Sequence, residues 1–64
     1  MTLKKENKHL IKKEMHINFI NDTLTVLDVR TKGKSIKIDV YSMGSKCIFK
    51  DIKLTEFYGY YFNY

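Results

Sequence analysis

The chain has 64 residues, 44% of them hydrophobic and 30% charged, and carries a formal net charge of +5. That length admits one small domain, spanning 1–64 and near the lower limit at which a core folds unaided, and the composition excludes wholesale disorder. Cys47 is the single cysteine, so no internal disulfide forms, and no apolar run reaches the length of a signal-peptide core or a membrane span; these features point to a cytoplasmic protein without a membrane partner.

Residues Leu3 to about Glu14 are rich in Lys, Leu and Glu and free of Gly, with Thr2 available as an N-cap, which predicts a helix. Leu3, Leu10 and Ile11 share one face of that helix and Met15 extends it. Lys4, Lys8 and Lys12 recur every four residues on a second face, and Lys5, His9 and Lys13 on a third. From Met15 the period changes to two: Met15, Ile17 and Phe19 alternate with His16 and Asn18, and Asn21-Asp22 signals a hairpin turn. In the next run, TLTVLDVR, Leu24 and Val26 point one way and Leu27 and Val29 the other, so a bulge is expected within it.

Lys32-Gly33-Lys34 is the next turn, and SIKIDVYS is the cleanest strand, with Ile36, Ile38 and Val40 inward and Lys37, Asp39 and Tyr41 outward. After a turn at Met43-Gly44-Ser45, the run KCIFKDIKLTE reads as exposed strand, with Ile48, Ile52 and Leu54 sharing a parity. The terminal octet FYGYYFNY fits a strand, with Tyr58, Tyr60, Phe62 and Tyr64 on one face, or a helix joining Leu54, Phe57, Tyr58 and Tyr61; aromatic content and Gly59 favour the strand. The fold class expected is α+β, an N-terminal basic helix followed by an antiparallel meander of four or five strands, with a mostly β small barrel as the alternative.

No residue set has the pattern of a catalytic or metal centre. His9 and His16 lie seven apart with no cysteine pair beside them, and Cys47, placed in a strand without a neighbouring His, reads as a small buried hydrophobe. Asp28, Asp39 and Asp51 fall where an outward strand position or a turn takes a charge. KGKS lacks the upstream glycine of a phosphate loop, and Asn21-Asp22-Thr23 matches a glycosylation acceptor without a secretion signal. The expectation is a non-enzyme with no cofactor and no metal.

Two features rise above background. Five lysines in residues 1–14, Lys4, Lys5, Lys8, Lys12 and Lys13, face Glu6 and Glu14 only, which gives this segment +3 of the net charge; such a surface suits nucleic acid or an acidic partner. Arg30 is the lone arginine, so forked readout of bases is not expected. The second feature is the octet, whose Phe57, Tyr58, Tyr60, Tyr61, Phe62 and Tyr64 would leave one aromatic face for another chain if a single layer covers the other. The reading favoured is a small non-enzymatic module that binds a protein partner stoichiometrically, as an inhibitor or regulator, with self-association expected. The absence of Pro and Trp, with abundant Lys, Ile, Asn and Tyr, is of AT-rich coding character and associates it with phages or mobile elements. A basic, sequence-nonspecific nucleic-acid-binding protein is the alternative.

Overall fold

The computed structural model describes residues 1–64. Five antiparallel strands, β1 (His16–Asn18), β2 (Thr23–Lys32), β3 (Ser35–Ser42), β4 (Cys47–Lys53) and β5 (Tyr61–Asn63), form one open sheet in the order β4-β3-β2-β1-β5. The first four are a meander whose turns fall where the polar and glycine residues interrupt the alternation. Phe19 N–H donates to the Asp22 carbonyl at 2.9 Å to close the first turn. Gly33, with φ +58, takes the first position of the two-residue β2–β3 loop, a conformation that costs other residues a Cβ clash.

The fifth strand departs from the meander. After β4 the chain makes a short 3₁₀ turn, η2 (Leu54–Phe57), and returns across one face of the sheet to lie beside β1. In a flat sheet the four strand spacings from β4 to β5 come to about 19 Å, close to the reach of the seven residues between them, Leu54 to Tyr60. The crossing therefore lies tight on the sheet and buries Leu54 and Phe57 there, three apart and so on one side of a 3₁₀ turn. They complete a core with Ile17, Leu24, Val26, Ile38, Val40 and Phe62 from the strands and Leu3, Ile11 and Met15 from the N-terminal segment.

Two bulges shape the sheet, both opposite Asp39. On β2 the register shifts between Val26 and Asp28, so Leu27 is the extra residue, and the parity conflict within TLTVLDVR is resolved by the expected bulge. On β4 the register shifts between Phe49 and Ile52, with Asp51 in the left-handed region at φ 57. This second bulge overturns the shared parity of Ile48 and Ile52: Ile48 pairs with Tyr41 on the outer face, whereas Ile52 pairs with Ile38 on the core face. Bulges increase local twist, but the sheet does not close, since β4 has only β3 as a neighbour.

The N-terminal helix is the main correction to the α+β expectation. Only a 3₁₀ helix, η1 (Lys5–Leu10), forms, and it buries none of its own residues. The physical reason is the thin apolar stripe. Leu3 and Ile11, at its two flanks, are the anchors, and Leu10 is exposed. Leu3 is held by the sheet, its N–H donating to the Tyr60 carbonyl at 2.9 Å. Thr2 bridges Tyr61 instead of capping, and Asn7 Oδ1 accepts from Lys4 N–H at 2.8 Å at the start of the turn. The molecule is thus mostly β. No helix is long and apolar enough to cross a membrane.

Candidate functional site: the open β4 edge

A sheet has two edges, and here they differ. Beyond β5 the residues Met1–Leu3 run alongside: Phe62 N–H donates to the Met1 carbonyl at 2.7 Å, Gly59 N–H to the Leu3 carbonyl at 2.8 Å, and Thr2 bridges Tyr61. That edge has its backbone groups occupied. At the other edge β4 has no strand on its outer side. All of its residues but Ile52 are exposed, among them Cys47, Ile48 and Phe49, and Met43 in the preceding turn is exposed as well. Register places Ile48 beside Tyr41 on the outer face and Phe49 beside Val40 on the core face, so apolar side chains flank this edge on both sides. An unpaired strand edge lined with apolar side chains is a template for a further strand.

The half of β4 beyond Phe49 is shaped by charge. Arg30 on β2 reaches across the outer face and donates from Nη1 to Asp28 Oδ2 and Asp39 Oδ2, both at 3.0 Å, and from Nη2 to Asp39 Oδ1 at 2.7 Å and to Asp51 Oδ1. Asp39 also accepts from Asp51 N–H at 2.9 Å, which holds the bulged residue in place. The Arg30 guanidinium, and then the Asp51 N–H, lower the Asp39 carboxyl to about 2. Arg30, and then the Val29 N–H, hold Asp28 below the ordinary aspartate range. The three aspartates raise Arg30 further above its already high value. This cluster ties β2, β3 and β4 together at the two bulges, so the free, regular part of the edge is Cys47–Phe49.

A second polar clip fixes the turn that leads into that edge. Asp22 accepts from Ser42 Oγ at 2.6 Å and from Gly44 N–H and Thr23 N–H, each at 2.7 Å. The Ser42 hydroxyl, and then the Gly44 N–H, lower its carboxyl below the ordinary value. Ser42 Oγ in turn accepts from Ser45 N–H at 3.1 Å. A Cβ at Gly44 would stand 3.0 Å from Asp22 Oδ1, so glycine is what lets the turn seat on the carboxylate.

The residues singled out from sequence are distributed differently. Phe57 and Phe62 are buried core residues and Tyr58 is half-buried, so they do not form the proposed aromatic surface; Tyr60, Tyr61 and Tyr64 are exposed. Four rings instead cluster within the chain, from buried Phe57 and Phe62 through Phe19 out to exposed Tyr60. Phe19 meets Tyr60 edge-on at 4.6 Å and Phe57 at 6.1 Å, and Phe57 meets Phe62 at 6.3 Å. The expected lysine rows do not form either, because only Lys5 and Lys8 lie within η1, and Lys12 and Lys13 fall beyond its end. Lys4, Lys5, Lys12 and Lys13 are exposed, Lys13 lies 3.6 Å from Asp28, and Lys8 is half-buried beside the β2–β3 turn. Cys47 is exposed rather than buried, since it sits on the edge strand. His16 Nδ1 lies 3.2 Å from Thr25 Oγ1, its cross-strand partner, and no group of three or more His, Cys, Asp or Glu is placed to hold a metal ion.

Sequence reasoning missed both the edge and the Arg30 cluster. A lone arginine among outward aspartates was a signal for the cluster, but its reach to Asp51 depends on two bulges. No family model, curated protein or solved structure matches the chain.

Proposed function

We propose that the protein is a small non-enzymatic binding module that acts by stoichiometric occupancy of a partner protein, and that β4 is where the partner adds a strand. The observation carrying this reading is the asymmetry of the edges: residues 1–3 cover β5, while Cys47–Phe49 presents unpaired backbone flanked by Ile48 and Phe49. Charge selects the partner's chemistry. Lys46, Lys50 and Lys53 line β4, and its one acidic residue, Asp51, is engaged with Arg30. Antiparallel self-pairing brings the lysines of two copies into one short seam, whereas an extended segment alternating apolar and acidic residues matches them.

The nucleic-acid alternative rests on net charge. Arg30 is occupied by three carboxylates and the four-residue lysine rows of an α-helix do not form, so this alternative has less support.

The test is titration of the ¹⁵N-labelled protein with an extended Glu-Val repeat peptide and with its Lys-Val counterpart. Amide shifts confined to Cys47–Phe49 with the acidic peptide, abolished by Phe49→Lys or Ile48→Lys, are expected. Response to neither peptide, concentration-dependent dimerisation that Phe49→Lys removes, or tight oligonucleotide binding that survives both substitutions would each overturn the reading.

A further inference from the structure

Apart from the β4 edge, the molecule has one pocket, of about 70 Å³, at the end of the sheet where the β2–β3 loop meets η1 and η2. Its walls come from segments distant in sequence: Lys8 of η1, Lys34 and Ser35 of the β2–β3 hairpin, Lys53 at the end of β4, and Thr55 and Tyr58 around η2. Ile36 and Leu54 complete the lining, and Leu54 is buried.

The charge balance of this pocket is unusual for the molecule. Elsewhere the sheet's outer face matches Arg30 and Lys13 with aspartates, but no carboxylate lines this pocket, and none of Lys8, Lys34 or Lys53 forms an ion pair. Lys8, Lys34 and Lys53 border one cavity with no carboxylate among its walls, so an anion seated there meets the field of three cations and of no fixed anion. The hydroxyls of Ser35, Thr55 and Tyr58 add donors that accommodate oxygen acceptors. A volume of about 70 Å³ is roughly twice a water's share of the liquid. That is room enough for a single tetrahedral oxyanion.

We propose that this pocket binds a phosphate dianion, either the free ion or the terminal group of a small phosphomonoester, with Lys8, Lys34 and Lys53 supplying charge and the three hydroxyls supplying directed hydrogen bonds. Lys53, at the end of β4, borders both this pocket and the strand edge, whereas Lys8, Lys34 and the three hydroxyls belong to the cavity alone. The walls come from η1, the β2–β3 hairpin and η2, so an anion held there also links these segments.

The experiment is a titration of the ¹⁵N-labelled full chain at constant ionic strength, with inorganic phosphate in one arm and ribose 5-phosphate in the other, against sodium chloride. Saturable shifts at Ser35, Thr55 and Tyr58, with a dissociation constant of about 1 mM or tighter, are expected. Lys34→Gln and Lys53→Gln, at exposed positions that leave the core intact, each weaken binding about tenfold, whereas Lys12→Gln, with the same loss of net charge, changes it less than about twofold. Tighter binding of ribose 5-phosphate assigns the organic monoester, and equal binding assigns the free ion. Shifts that rise linearly without saturation, or an equal response to Lys12→Gln, would show a diffuse charge effect and overturn the proposal.

Discussion

The division of the terminal octet into core and surface predicts unequal costs along eight uncharged residues. Phe62 has no solvent exposure, pairs with the equally buried Ile17, and sits with its ring centroid 6.3 Å from that of Phe57. Phe→Ala at such a site costs about 3–5 kcal/mol, through lost transfer energy and the cavity left behind. A chain of 64 residues has a total stability of only about 3–10 kcal/mol, so Phe62→Ala removes from about a third of it to all of it. Phe62→Leu keeps most of the volume and costs about 1 kcal/mol. At this chain length that is about 4–8 °C in Tm. Tyr64, 74% exposed, changes stability by no more than about 0.5 kcal/mol on truncation to Ala. Tyr60→Ala falls between them, losing about 0.5–1.5 kcal/mol with its edge contact to Phe19. Thermal unfolding by circular dichroism, with urea midpoints as a second probe, ranks the four. If Tyr64→Ala costs as much as Phe62→Leu, or Phe62→Ala melts within about 5 °C of the parent, the octet is not divided as described and the core assignment fails.

Acid stability follows from the aspartates. Asp22, Asp28 and Asp39 have lowered pKa values in the fold, Asp39 at about 2, while an unfolded aspartate titrates near 3.9. The unfolded chain therefore binds more protons in that interval, so the stability these groups provide is complete above about pH 4 and is lost as pH falls through their folded values. Urea midpoints from pH 6 to pH 2 should show that decline, less steep in Arg30→Met, which removes the partner of Asp28 and Asp39; a flat profile in the parent contradicts it. At the β3–β4 turn, Gly44→Ala and Asp22→Ala should each destabilise the protein, and the double variant should be little worse than either, because both break one clip. Full additivity in that cycle would mean that the clip does not act as a unit. Lys13→Ala should change stability by no more than about 0.5 kcal/mol, since the Lys13–Asp28 pair is 3.6 Å long and largely solvated; a larger loss would give that pair a role its geometry does not support.

The open edge changes what is expected of the tyrosines. Tyr60, Tyr61 and Tyr64 remain exposed, but the backbone beside them is occupied by residues 1–3, so no strand can be added there without displacing the N-terminal segment. On β4 no such displacement is needed. The bulge at Asp51 bends the far half of the edge out of line and limits a partner to a short register, the usual means by which an edge is kept from indiscriminate pairing.

Much of the local structure was legible in the residues themselves. Period-two alternation located Ile38 and Val40 on the buried face and put Leu24 and Val26 together on one face, glycine and Asn-Asp placed the turns, and the parity conflict in TLTVLDVR announced a bulge. These are properties of neighbours a few residues apart, where backbone geometry alone sets which side chains share a face. The helix was not legible, because a lysine- and leucine-rich segment has α-propensity that a thin apolar stripe cannot anchor, and the tie of Leu3 to Tyr60 drew it into a 3₁₀ turn. Nor were the strand order, the sealed and open edges, the meeting of Arg30 with three aspartates, or the gathering of Lys8, Lys34 and Lys53. Each depends on where β5 lands after its crossing and on two bulges opposite one residue. Alternation reports that a regular strand has a buried face but carries no information about which strand lies beside it, so the sequence by itself determined the faces of β1 and β3, while only tertiary structure decided those of β4, where a bulge intervenes, and the edges.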